Sequence, residues 1–170
     1  MKSKLLILTC ICLIVAGLRL LPHMANFTPV GAFAIFAASK LKSKYTPLFV
    51  FGSLFVSDII LGLSYINLFV YIGFAIYYLL GININNYKSL IANSILASIL
   101  FFAITNFGSW IGPWYPHTLN GLIDCFVKAI PFYRGTILGD LFYIGAFFGA
   151  YELVRFYNLR VRKPITLRKE

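Results

Sequence analysis

The chain has 170 residues, 60% of them hydrophobic and only 12% charged, with a formal net charge of +10. That length allows one domain, and a mean hydropathy of +0.84 excludes both an ordinary soluble domain and a disordered one. A charge of +10 suggests nucleic acid in a soluble protein, but where the basic residues fall argues for membrane topology instead.

Windows of mostly apolar residues cover most of the chain, the pattern of a polytopic all-α membrane protein. Six spans are expected at about 5–21, 27–41, 47–63, 66–81, 89–108 and 136–156, forming one bundle over 1–156 with a basic tail over 157–170. Several are near 16 residues, short for a hydrocarbon core that needs about 20, so some extend into their loops and the 27–41 span is expected to be partly irregular. Met1-Lys-Ser-Lys before an apolar run is also the start of a secretory signal. The run continues to Leu21, however, and Val15-Ala16-Gly17 is a poor cleavage site, so an uncleaved first helix is expected.

Lys2 and Lys4 precede span one; Lys40, Lys42 and Lys44 separate spans two and three; Lys88 lies between four and five. After span six come Arg160, Arg162, Lys163, Arg168 and Lys169, whereas the alternate connections hold only Arg19, Lys128 and Arg134. The positive-inside rule then places both termini in the cytoplasm of a plasma (inner) membrane protein. The tail is a topology determinant and an anchor for anionic lipid, and no nucleic-acid partner is expected.

The segment Arg19-Leu-Leu-Pro-His23-Met-Ala-Asn26-Phe-Thr28-Pro29 sets a guanidinium, an imidazole, a carboxamide and a hydroxyl between two apolar spans. Such groups are costly in lipid and turn toward the protein interior or a wet cavity, and Pro22 and Pro29 stiffen the backbone that carries them. Counting the rise per residue puts Asp58 roughly 8 Å and Asp140 roughly 6 Å below the outer ends of spans three and six. Asn106 lies at the outer end of span five. These groups are expected to share one outer layer, with Arg19 paired to Asp58 or Asp140. Asp140 also follows Thr136 closely enough to serve as a charge near a helix N-terminus.

The one long connection, 109–135, opens with Trp110, Trp114, Tyr115 and His117 around Gly112, Pro113 and Pro116. From Thr118 to Ile130, apolar residues fall at helical spacing and Asn120, Asp124 and Lys128 occupy the other face, with Pro131 ending the run. This reads as an outward amphipathic helix between helices five and six, lying in the interface or closing over the bundle. The candidate site is thus Arg19, Asp58, Asn106 and Asp140 as lining, His23 and Asn26 as rim, and Trp110, Trp114, Tyr115, His117 and Asp124 in the closing loop.

Each feature also has a structural reading. Intramembrane ion pairs hold helices together, His23 suits an interface, and the two tryptophans suit an aromatic belt. Asp124 with Lys128 and Glu152 with Arg155 are helical pairs. Gly145-x-x-x-Gly149 and Ala34-x-x-x-Ala38 offer small-residue faces for a partner subunit. Three cysteines, Cys10, Cys12 and Cys125, give no disulfide framework. Metal-ligand spacing, nucleotide-binding glycines and a nucleophile elbow are all missing from the sequence, so neither enzyme activity nor a metal or cofactor is expected.

The runs Arg19 to Ala32, Ser57-Asp58, Thr105-Asn106-Phe107-Gly108, Tyr115-Pro116-His117-Thr118-Leu-Asn-Gly121, Ala129-Ile-Pro131-Phe132 and Gly139-Asp140 resemble an uncharacterised family of bacterial integral membrane proteins. Met24-Ala25 stands where that resemblance leads one to expect a proline-containing pair. Its members look like the substrate-binding S components of energy-coupling-factor (ECF) transporters. The resemblance implies capture of a small organic or vitamin-like solute near the outer surface, with separate transmembrane and ATPase subunits as partners. The competing expectations are a scaffolding protein similar in size and span count to rod-shape-determining MreD proteins, and a small ion- or proton-conducting bundle.

Overall fold

The computed structural model describes residues 2–161; Arg162, Lys163, Arg168 and Lys169 of the basic tail lie outside them. The described residues form six helices and no strand: α1 Lys2–Leu20, α2 Val30–Phe36 continued by a π-helical turn over Ala37–Leu41, α3 Thr46–Leu61, α4 Ile66–Ile82, α5 Tyr87–Ile111 and α6 Leu119–Val161. The boundaries follow local chemistry. Pro29 sits immediately before α2, where its fixed φ suits a helix start. Lys42 at φ 44° and Gly62 at φ 103° end the π turn and α3, and Asn86 with Ser89 forms a capping box at the start of α5, satisfying orphan amides.

α2 is the hub. Every one of its seven residues is buried, and it packs against α3, α4 and α6. A helix that is apolar all round belongs in the centre of a bundle. α1 lies on α3, while α4 and α5 form the most extensive helix pair. α5 and α6 run antiparallel: Cys125 donates to the Asn106 carbonyl, the Tyr133 ring lies 4.9 Å from that of Phe102, and Asp140 meets Ser98.

The expected irregularity in one span takes a definite form here, and three other sequence expectations change. The irregularity in 27–41 is a helix that starts at Val30 and widens from α to π at Ala37. Pro131 does not end a helix: it lies inside α6, which at 43 residues is about 65 Å long. The amphipathic stretch is therefore the first part of α6, held along α5 by Phe126 and Tyr133 against Phe102, and not a separate lid helix. Asp140 consequently sits mid-helix, far from the α6 N-terminus.

Polar side chains are enclosed within the largely apolar core, and much of the exterior is apolar as well. Ser53, Ser57, Asp58, Ser94, Ser98, Thr136 and Asp140 are buried, while Leu6, Leu13, Phe55, Ile60, Leu141 and Phe142 are among the many large apolar side chains left exposed. Two helices, α5 and α6, are long and apolar enough to cross a membrane, and the other four apolar helices are shorter.

Candidate functional site

Arg19, in the last turn of α1, turns inward and ion-pairs with Asp58 of α3. Its Nη1 also donates to Ser57 Oγ at 2.6 Å and to the Leu54 carbonyl at 3.3 Å. Ser57 passes its own proton back to the α3 carbonyls of Ser53 and Leu54, so its lone pair is free for the guanidinium. Asp58 is 1% exposed. Its second oxygen, Oδ2, has no hydrogen-bond partner, and the Tyr71 hydroxyl of α4 lies beside the carboxylate. The expected Arg19 pairing thus goes to Asp58.

Asp140 forms a separate cluster. Its Oδ2 accepts from the Tyr77 hydroxyl of α4 at 2.5 Å and from Ser98 Oγ of α5 at 2.7 Å. Its Oδ1 lies over Gly31 of α2, where an added Cβ would come within 2.7 Å. Four helices therefore converge on one carboxylate, and the bare backbone at Gly31 makes the room.

The connection between α1 and α2 is laid directly on α6. Gly139 allows this, since a Cβ there would stand 3.1 Å from Phe27 Cα and Thr28 N, and at Gly135 it would collide with the Ala25 carbonyl. Asn26 adopts φ 62°, a left-handed conformation that asparagine tolerates better than most side-chain-bearing residues. Its side chain joins the walls of two cavities.

The cavities run in series. The innermost, about 100 Å³, is bounded by Arg19, Asn26, Phe74, Tyr77, Phe101 and Asp140. The second, about 210 Å³, shares Asn26, Val70, Phe101 and Thr136 with it and adds Thr105, Asn106 and Ser109. The third, about 290 Å³, shares Asn106, Ser109, Ala129 and Phe132 with the second and adds Trp114, Tyr115, Cys125 and Lys128. A shallow basin of about 620 Å³ beside Tyr65, Gly112, Tyr115 and His117 opens beyond.

This arrangement sorts the sequence-predicted residues. Arg19, Asn26, Asn106, Asp140, Trp114, Tyr115 and His117 line the series, although Asn106 donates its amide to its own helix at Phe102. Asp58 lines none of these cavities and instead anchors Arg19. Trp110 donates to the Pro116 carbonyl at 3.0 Å and packs edge-on to His117, which shapes the loop. His23 is exposed, with Nδ1 by the Met24 carbonyl, and Asp124 pairs with Lys128 at 2.6 Å on the exposed face of α6. Ala34 and Ala38 are interior, whereas nothing lies near Gly145 or Gly149, so only the second small-residue face is open. Cys10 is exposed and Cys125 buried.

Tyr77, Ser98, Phe74 and Phe101 escaped the sequence reading. The Ser94-x-x-x-Ser98 spacing in an apolar helix was the available signal, because serines four apart share one helix face. Among the described residues, no three His, Cys, Asp or Glu side chains come together to hold a metal.

No curated protein and no solved structure matches the chain. Residues 1–162 match a family described as "Family of unknown function (DUF6580)". With the match covering nearly its whole length, the chain belongs to the DUF6580 family.

Proposed function

We propose that this protein is a six-span integral membrane protein, with both termini cytoplasmic, that captures a small organic solute from the outer side as the substrate-binding subunit of an ECF-like uptake system. The apolar exterior supports the membrane reading. An exterior of leucine, isoleucine and phenylalanine around a core that also encloses serines and two aspartates is stable against lipid and costly in water. α3 and α4, at 16 and 17 residues, rise about 25 Å and need only modest bilayer thinning, whereas α2 with its π turn, Val30–Leu41, rises only about 18 Å and is shielded from lipid by its neighbours.

The observation that carries the functional reading is the cavity series. It leads from the Trp114–Tyr115 loop inward to Asp140 and Arg19, with aromatic walls and a few convergent polar groups, as small-solute sites have. Asn106, Thr105 and Ser109 donate to carbonyls of their own helix, which leaves their oxygens, with the Thr136 hydroxyl, as polar groups along the way. In this reading energy comes from partner subunits, since the sequence carries no nucleotide-binding motif of its own.

Native mass spectrometry of the purified protein tests this. A retained small molecule that is lost in Asn106→Leu and Thr136→Val supports capture, and copurification of an ATPase module supports the uptake role. A solute-free protein that copurifies with cell-wall machinery refutes it in favour of a scaffold, a reading to which the open Gly145–Gly149 face on α6 lends support.

A further inference from the structure

The innermost cavity contains a carboxylate with no counter-ion. Asp140 is 5% exposed, yet both its hydrogen-bond donors, Tyr77 and Ser98, are neutral hydroxyls bound to the same oxygen, Oδ2. Oδ1 has no protein partner and belongs to a side chain on the cavity wall. Arg19, the one cation on that wall, directs its Nη1 to Asp58, Ser57 and Leu54 and forms no ion pair with Asp140. Burying an unpaired carboxylate is costly unless something compensates it. The remaining walls include the rings of Phe74, Tyr77 and Phe101, which pack within 4.7 to 6.1 Å of one another. Aromatic faces attract cations, and a volume of about 100 Å³ holds several waters or one small charged head group, not a ring system.

Resting on the capture reading above, we propose that this cavity binds the protonated amine of a small organic cation. The ammonium donates to Asp140 Oδ1 and lies against the aromatic walls. The rest of the solute extends into the second cavity, where Thr105 and Asn106 are. Tyr77 and Ser98 act as positioning residues: by occupying Oδ2 they leave Oδ1 for the solute.

The test uses the full chain in lipid nanodiscs, with propylammonium as probe and 1-propanol and propionate as matched neutral and anionic controls. Propylammonium is expected to raise the thermal unfolding midpoint, and the two controls are not. Asp140→Asn keeps an acceptor for Tyr77 and Ser98 but removes the charge, and it should weaken binding about tenfold or more. Phe74→Leu should weaken it less. An equal shift from 1-propanol or propionate, an unchanged response in Asp140→Asn, or no shift from propylammonium would overturn the assignment. The series on the unmodified protein decides even if Asp140→Asn does not fold. If native mass spectrometry then finds a neutral or anionic solute lost in Asn106→Leu, capture stands and the amine assignment alone falls.

Discussion

Replacing Arg19 by methionine isolates the energetic role of the ion pair at the end of α1. The change keeps an apolar stem of similar length but deletes the charge, the bond to Ser57 and the bond to Leu54. Asp58 is then left 1% exposed with neither oxygen satisfied by a cation. Removing one partner of a buried pair costs about 3–5 kcal/mol. Because the Arg19 side chain keeps 14% exposure, the lower end, about 3 kcal/mol, is expected. Asp58→Asn retains an acceptor and should cost about 1–2 kcal/mol. The double variant carries no charge at this pair, so its loss should fall about 2 kcal/mol short of the sum of the two singles, within the range found for groups in contact. Unfolding by denaturant in micelles, followed by the fluorescence of Trp110 and Trp114, measures the cycle. Losses that add to within about 0.5 kcal/mol, or an Arg19→Met protein as stable as the parent, would refute a coupled buried pair.

Gly135→Ala forces a Cβ into the Ala25 carbonyl and should destabilise by about 1–3 kcal/mol, whereas Gly145→Ala meets nothing and should gain about 0.5–1 kcal/mol from helix propensity; thermal unfolding of both reads the contrast. Phe33→Ala, at a fully buried position in the centre of α2, should cost about 3–5 kcal/mol in the same assay. Ser98→Ala removes one of two donors to Asp140 and should cost about 1–2 kcal/mol, with solute retention falling alongside stability. In intact cells, a membrane-impermeant thiol reagent should label a cysteine placed at Trp114 but label one at Asn86 only after permeabilisation, and the reverse pattern would invert the proposed topology.

The helical segments were legible because apolar windows and charge clusters are local signals. Asn86, Pro29 and Gly62 mark boundaries by their own backbone chemistry. Pro131 was misleading: a proline removes one backbone bond, but contacts of Phe126, Tyr133 and Gly135 with α5 and the α1–α2 connection hold α6 continuous across it. The Arg19–Asp58 pair was half legible, since a cation and an acid at similar depth seek each other, but depth alone did not choose between Asp58 and Asp140. Tyr77 was invisible as a partner of Asp140, because one of eleven tyrosines acquires that role only when α4 and α6 both close on α2. The same long-range closure decides that Ala34 and Ala38 pack inward while Gly145 and Gly149 remain open.

The full burial of α2 bears on how anything could pass through the molecule. The cavity series approaches from one side and stops at Asp140 over Gly31, and beyond that point Phe33, Ile35 and Phe36 fill the centre with no polar side chain until Ser39. Such a core is a stopper. A continuous water file along the axis would require pulling α2 out from between α3, α4 and α6, which amounts to unfolding the hub. The geometry is that of a cup and not a pipe: the cavities beside Trp114 and Tyr115 lead to a closed bottom at α2.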